Sequence, residues 1–289
     1  MKGNKTSQSW AIGALLLGST MWGVVWYPMR LLEIAGLSGL WLSLFLYLGA
    51  LAITSLKTVP QLKYLWQEPL LMVQLAAYAG WTNVAFILAV LDGNVLRVLL
   101  LFYLTPLWAV MFGYLFLGER LSRISIITLV VALAGAVLML WHPDTGIPWP
   151  TDASDWLALS SGMAFAASNV IIRKTQAIEL SAKVAMTWVG VIAISVLLIL
   201  VQQVPVPVGK GGQIGSALLL GAFGMAVMTT LVQYGVTHMP VHRSAVILLF
   251  ELVAGAISQQ LLTDEIMTLR EWLGGAAIMV AAWVSGRYG

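Results

Sequence analysis

In the stretch AVILLFELVAGAIS, Ala245 to Ser258, one carboxylate, Glu251, stands in an otherwise apolar run. In a helix crossing a bilayer, an acidic side chain at that depth costs about 2.5–3.5 kcal/mol. Something must offset that cost. Three chemistries can do so: a cationic group on a bound cargo, a proton on the carboxyl, or hydrogen bonds from Tyr or Trp across a cavity. Ser258 lies two turns from Glu251 on roughly the same face, so the charge need not meet lipid.

Other polar and aromatic residues fall at similar depth. Gln74, Tyr78, Trp81 and Thr82 share one helical stripe by three- and four-residue spacing. Such a stripe either lines a passage or packs between helices with its polar atoms bonded. Asn83 lies off it and is expected to bond a neighbouring helix. Tyr103 comes three residues before Pro106, which removes a backbone donor and disturbs the preceding turn. Trp22 is too deep for an interfacial residue. Phe165, Ser168 and Asn169 share a face, and Met225, Met228 and Thr229 offer adaptable contacts. The expected binding set is therefore Trp22, Tyr78, Trp81, Thr82, Tyr103, Phe165, Ser168, Asn169, Met228 and Glu251. Arg97 and Pro106 are candidates for gating or exit, although Arg97 is also placed to snorkel to the membrane surface. Trp10, Trp26, Trp66, Trp141, Trp156 and Trp272 read as interfacial anchors.

Enzymatic chemistry has little support. Glu251 lacks an evident acid, base or metal-ligand partner at its depth. His142, His238 and His242 sit at span ends without metal-ligand spacing, and the chain has no cysteine. No metal, cofactor or nucleic acid is expected. A phosphate-binding Gly-x4-Gly-Lys-Ser/Thr motif is missing, so no ATPase subunit is implied within this chain.

The surrounding chain fits a bilayer. Of 289 residues 60% are apolar and 9% charged, against about 25% charged in soluble domains. Thirteen tryptophans suit a chain with two membrane–water boundaries. A spanning helix needs about 20 apolar residues, and the polar, Gly- and Pro-containing breaks leave ten segments. They run near 10–29, 40–56, 69–91, 95–117, 125–141, 155–172, 182–201, 215–237, 244–262 and 268–285. The first is long enough to be a retained helix and shows no small-x-small cleavage pattern. With the N-terminus inside, only Arg30, Arg97, Lys210 and Arg270 of the fifteen Lys and Arg lie outside. Both termini are thus expected in the cytoplasm.

The loop after Trp141 divides the chain into 1–141, a connecting loop 142–154, and 155–289. A shift of 146 residues lays Trp10 on Trp156, Arg97 on Arg243 and Glu119 on Glu265. Five spans per half means that the second half enters from the opposite face. The expected fold is an all-α membrane protein of two inverted five-helix repeats, a plan that in secondary transporters places substrate near the midplane.

The stretch FYLTPLWAVMFGYLFLGERLSRISIITLVVALAGAVL resembles the end of a repeat in the drug/metabolite transporter superfamily of the EamA type. There a Pro-containing fourth helix runs into Leu-Gly-Glu-Arg and a Gly-containing fifth helix. LLLGSTMWGVVWYPMR resembles the opening helix of that superfamily. LLTDEIMTLREWLGGAAIMV is a degenerate second copy that keeps Glu265 and the glycines without the preceding Leu-Gly. Within the superfamily the chain is most similar to YddG-type amino-acid exporters. That resemblance implies a monomer in a bacterial-type inner membrane, exporting amino acids or similar small amphipathic metabolites by alternating access. A drug, cation or nucleoside cargo is the alternative within the same fold.

Overall fold

The computed structural model describes residues 5–37, 39–58, 67–93, 95–141, 149–263 and 266–288. Among these the ordered elements are all helices: α1 Lys5–Ile34, α2 Gly39–Thr58, α3 Pro69–Asp92, α4 Val95–Phe102, α5 Thr105–Leu117 and α6 Arg123–Leu140. They continue as α7 Ala153–Lys174, α8 Leu180–Val201, α9 Gly211–Leu220, a π-helical turn Gly221–Met225, α10 Ala226–His238, α11 Val241–Leu248, α12 Phe250–Leu262 and α13 Leu269–Tyr288. Each apolar segment expected from the sequence falls on one helix or on one interrupted helix. Glu265 and His142 lie outside the described residues.

Among the described residues, eight helical stretches are long and apolar enough to cross a membrane. The helix α2 is apolar over Gly39–Ser55, and α13 carries Arg270, Glu271 and Arg287. The surface agrees: Leu115, Phe116, Ile127, Leu200, Phe223 and Val280 are more than half exposed on helix faces. Water would oppose so much apolar surface, whereas lipid does not. This is a multi-pass membrane protein.

Helix ends follow local chemistry. Pro106 stands in the first turn of α5, where a missing N–H costs nothing. Gly118 ends α5 in the left-handed region at φ 66°, the usual conformation of a glycine just past a helix. Ser122 caps α6 by accepting the Ser125 N–H at 3.0 Å, and Asp152 caps α7 by accepting the Asp155 N–H at 2.9 Å. Arg173 and Lys174 close the last turn of α7, where cations complement the helix dipole.

Packing interlocks the two parts of the chain. The helix α1 packs chiefly on α10 and α12, while α7 packs on α3, α4 and α5. Two further pairs, α2 with α8 and α6 with α13, lie outside these contacts. The offset of 146 residues recurs in the elements, since α4 Val95–Phe102 lands on α11 Val241–Leu248. The α4/α5 break then lands on the α11/α12 break at Leu249, and Thr105 on Glu251.

Candidate functional site

Two broken helices carry the centre of the site. Between α4 and α5, Tyr103 and Leu104 leave the helix, and the Thr105 hydroxyl donates to the Phe102 carbonyl at 2.6 Å. Between α11 and α12 the interruption is at Leu249, with no proline to cause it. Glu251 follows in the first turn of α12, where a negative charge meets the positive end of the helix dipole. The Tyr103 hydroxyl and the Glu251 carboxylate are neighbours, so one break faces the other. Both side chains lie deep in the protein yet keep some accessible surface.

Aromatic rings extend this pair. Phe102 is an edge-on neighbour of Tyr103, with ring centres 5.2 Å apart. It also meets Phe86 of α3 at 4.9 Å and Phe165 of α7 at 6.1 Å. Phe165 is thus linked to the Glu251 region through Phe102 and Tyr103. On the other side, α1 closes against α12. A Cβ on Gly23 would meet the Glu251 carbonyl at 2.6 Å and the Gly255 nitrogen at 2.7 Å, so only glycine permits this approach. Trp22 is half-buried there, packed against two core clusters.

Trp26 has a partner that the sequence did not suggest: its indole N–H donates to Ser258 Oγ at 2.8 Å, and Ser258 in turn donates to the Gly23 carbonyl at 3.0 Å. Trp26 therefore belongs to the α1–α12 contact, about 10 Å along the helix axis from Glu251 by the seven-residue separation of Ser258. Ser258 faces α1, and the Glu251 carboxyl faces Tyr103.

The remaining predicted residues divide. Tyr78 and Trp81 are 39% and 38% exposed on α3, and the Trp81 indole N–H donates to Ser160 Oγ at 3.1 Å. Thr82 is buried, bonded to the Tyr78 carbonyl at 2.8 Å and near the Ser161 carbonyl at 3.4 Å, so it serves α3–α7 packing. Ser168 is buried and donates to the Phe165 carbonyl at 2.8 Å. Asn169 is buried with no partner for Nδ2. Met228, at 1% exposure, is packed among Val184, Trp188 and Ala226. Asn83 behaves as expected, accepting the Tyr47 hydroxyl at 2.7 Å.

Arg97 does not simply snorkel. Its Nε donates to both Asp155 oxygens, at 3.0 and 2.9 Å, and Nη2 donates to Oδ2 at 2.7 Å. Thr151 Oγ1 at 3.1 Å and the Trp149 carbonyl complete the grip. The pair ties the start of α4 to the start of α7. Arg243, 146 residues further along, instead donates to the Ser285 and Gly286 carbonyls, both at 2.9 Å. Sequence reading gave Asp155, Ser160 and the partner role of Ser258 with Trp26 no weight, because each depends on how two distant helices are rotated.

Among the described residues, no group of three or more His, Asp or Glu is placed to hold a metal ion.

Comparison with known proteins agrees with this architecture. A crystal structure of another protein superposes over 98% of this chain and 96% of its own length, with a TM-score of 0.74 at 17% identity, so the two share a fold. A protein of Archaeoglobus fulgidus described as an uncharacterized transporter is 23% identical over 219 residues, 75% of this chain and 76% of its own. Residues 153–287, which hold the second broken helix and Glu251, match the profile of the EamA-like transporter family.

Proposed function

We propose that this protein is a secondary transporter that exports small amphipathic metabolites, amino acids foremost, by alternating access. The carrying observation is the position of Glu251 in the first turn of α12, just past one helix break, with Tyr103 of the other break and its aromatic neighbour Phe102 beside it. Broken helices put unpaired backbone groups and helix dipoles at mid-depth, which is how transporters of other folds hold charged cargo. A carboxylate there suits an ammonium group, and the neighbouring aromatic faces suit an apolar side chain or the cation itself. The similarity of residues 153–287 to EamA-like transporters supports the reading.

In this reading ten spans form two inverted repeats in a bacterial-type inner membrane, with both termini cytoplasmic and a monomer as the working unit. The recurrence of α4/α5 as α11/α12 supports the repeat. Because α1 and α7 pack on helices of the opposite half, the rocking units exchange their first helices rather than coinciding with the sequence halves.

Uptake of a radiolabelled amino-acid panel into proteoliposomes, with and without a pH gradient, tests the proposal. Saturable uptake of at least one amino acid, lost in Glu251→Gln, is expected. A panel with no transported member overturns it.

A further inference from the structure

The Leu-Gly-Glu-Arg stretch at 117–120 has no part in the site around Glu251. The structure gives its glutamate a specific partner. With Gly118 in the left-handed region, the Glu119 N–H turns back to the Gly113 carbonyl at 3.1 Å. That turn aims the Glu119 side chain at the start of α11, 122 residues further along the chain. The Val241 N–H donates to Oε2 at 2.9 Å and to Oε1 at 3.2 Å. His242 Nδ1 stands 3.2 Å from Oε2, and Arg173 Nε of α7 stands 3.9 Å from Oε1.

This is a helix cap supplied from the loop that follows α5. Pro240, at the cap position of α11, gives no side-chain cap of its own. A short helix with uncapped N–H groups in an apolar setting is costly, and the Glu119 carboxylate offsets that cost by charge and by hydrogen bonding. Beneath it, Val241 and Ala245 of α11 cluster with Ala109 of α5 and Ala166 and Val170 of α7, and Trp108, Phe112 and Leu117 of α5 pack against that cluster. The apolar contact can slide, whereas the Glu119 clasp fixes the start of α11 to one place against α5 and α7 by directional bonds. The carboxylate is also reachable. A groove of about 430 Å³ lined by Val110, Met111, Tyr114, Glu119, Arg120 and Leu121 opens beside it.

We propose that Glu119 is the latch of one gate: it holds the start of α11 against the ends of α5 and α7 in the state seen here, and its release opens that end of the passage. The proposal rests on alternating access, but its readout needs no cargo. The protein has no cysteine, so single cysteines report opening. Ala245→Cys lies beneath the latch at 3% exposure, and Ala158→Cys lies near the start of α7, towards the opposite end, at 0%. Labelling by N-ethylmaleimide is measured for each in the wild-type and Glu119→Ala backgrounds. The expected result is at least tenfold faster labelling at Ala245→Cys with no change at Ala158→Cys. If Glu119→Ala does not fold, Glu119→Gln is read at both positions, with a rise of at least threefold confined to Ala245→Cys expected. Unchanged labelling at Ala245→Cys, or an equal rise at both positions, overturns the latch. Neither outcome touches the cargo assignment, which stands or falls with the proteoliposome panel.

Discussion

Tyr103, in the break between α4 and α5, stands beside Glu251, in the first turn of α12. An ionised carboxylate accepts about four hydrogen bonds, so a neighbouring hydroxyl leaves room for a ligand. Tyr103→Phe removes the donor but keeps the ring. A hydrogen bond to a charged group contributes about 1.5–3 kcal/mol, so the expected effect is roughly tenfold or greater loss of apparent affinity with the melting temperature nearly unchanged. Transport kinetics and thermal melts of the same preparation check it.

For Glu251 itself, replacement by Gln separates three roles. Contact with a cargo ammonium group requires the charge, so binding weakens while the fold persists. Proton coupling predicts loss of proton-driven accumulation with counterflow exchange intact. A purely structural carboxylate predicts neither change. The expected outcome is weakened binding, read by substrate-dependent thermal shift and by counterflow at two pH values.

The Arg97–Asp155 pair lies 14% and 2% exposed, and removal of one partner from such a buried pair costs about 3–5 kcal/mol. Asp155→Asn is therefore expected to lower the melting temperature clearly. The double variant Arg97→Leu with Asp155→Leu should recover most of that loss, because no charge is left unpaired. Recovery of stability without recovery of transport identifies the pair as part of the gate; recovery of both identifies it as a staple.

Close helix approach makes a prediction for the fold. A Cβ on Gly190 of α8 would overlap the Ala76 carbonyl of α3, whereas one on Gly13 meets nothing within 4 Å. Gly190→Ala should cost about 1–3 kcal/mol or more as an overpacked contact. Gly13→Ala should be neutral or stabilising by up to about 1 kcal/mol. Fluorescence-detected size exclusion after heating distinguishes the two.

Membrane orientation has its own test. Single cysteines at Asp144 and Lys174 should react with an impermeant reagent added to intact cells at the first position and not at the second. Labelling of Lys174→Cys from outside, or none at Asp144→Cys, rejects cytoplasmic termini.

Much of this protein was legible in its sequence because hydropathy is a local property. A run of apolar residues long enough for a bilayer forms a helix wherever it lies, since every backbone polar group must be paired within the segment. Punctuation such as Pro106 and Gly118 acts within a few residues, so the break before α5 and the end of α5 could be read directly. Glu251 was conspicuous for the same reason, a charge against an apolar background. What surrounds it was decided by tertiary structure. Trp26 has the composition of an interfacial anchor, and only the closeness of Gly23 to α12 brings its indole to Ser258. The break at Leu249 has no proline or glycine to announce it. Glu119 and Val241 meet across 122 residues, and Arg97 and Asp155 across 58. A partner at that distance is fixed by the rotation and crossing of two packed helices, which no local pattern encodes.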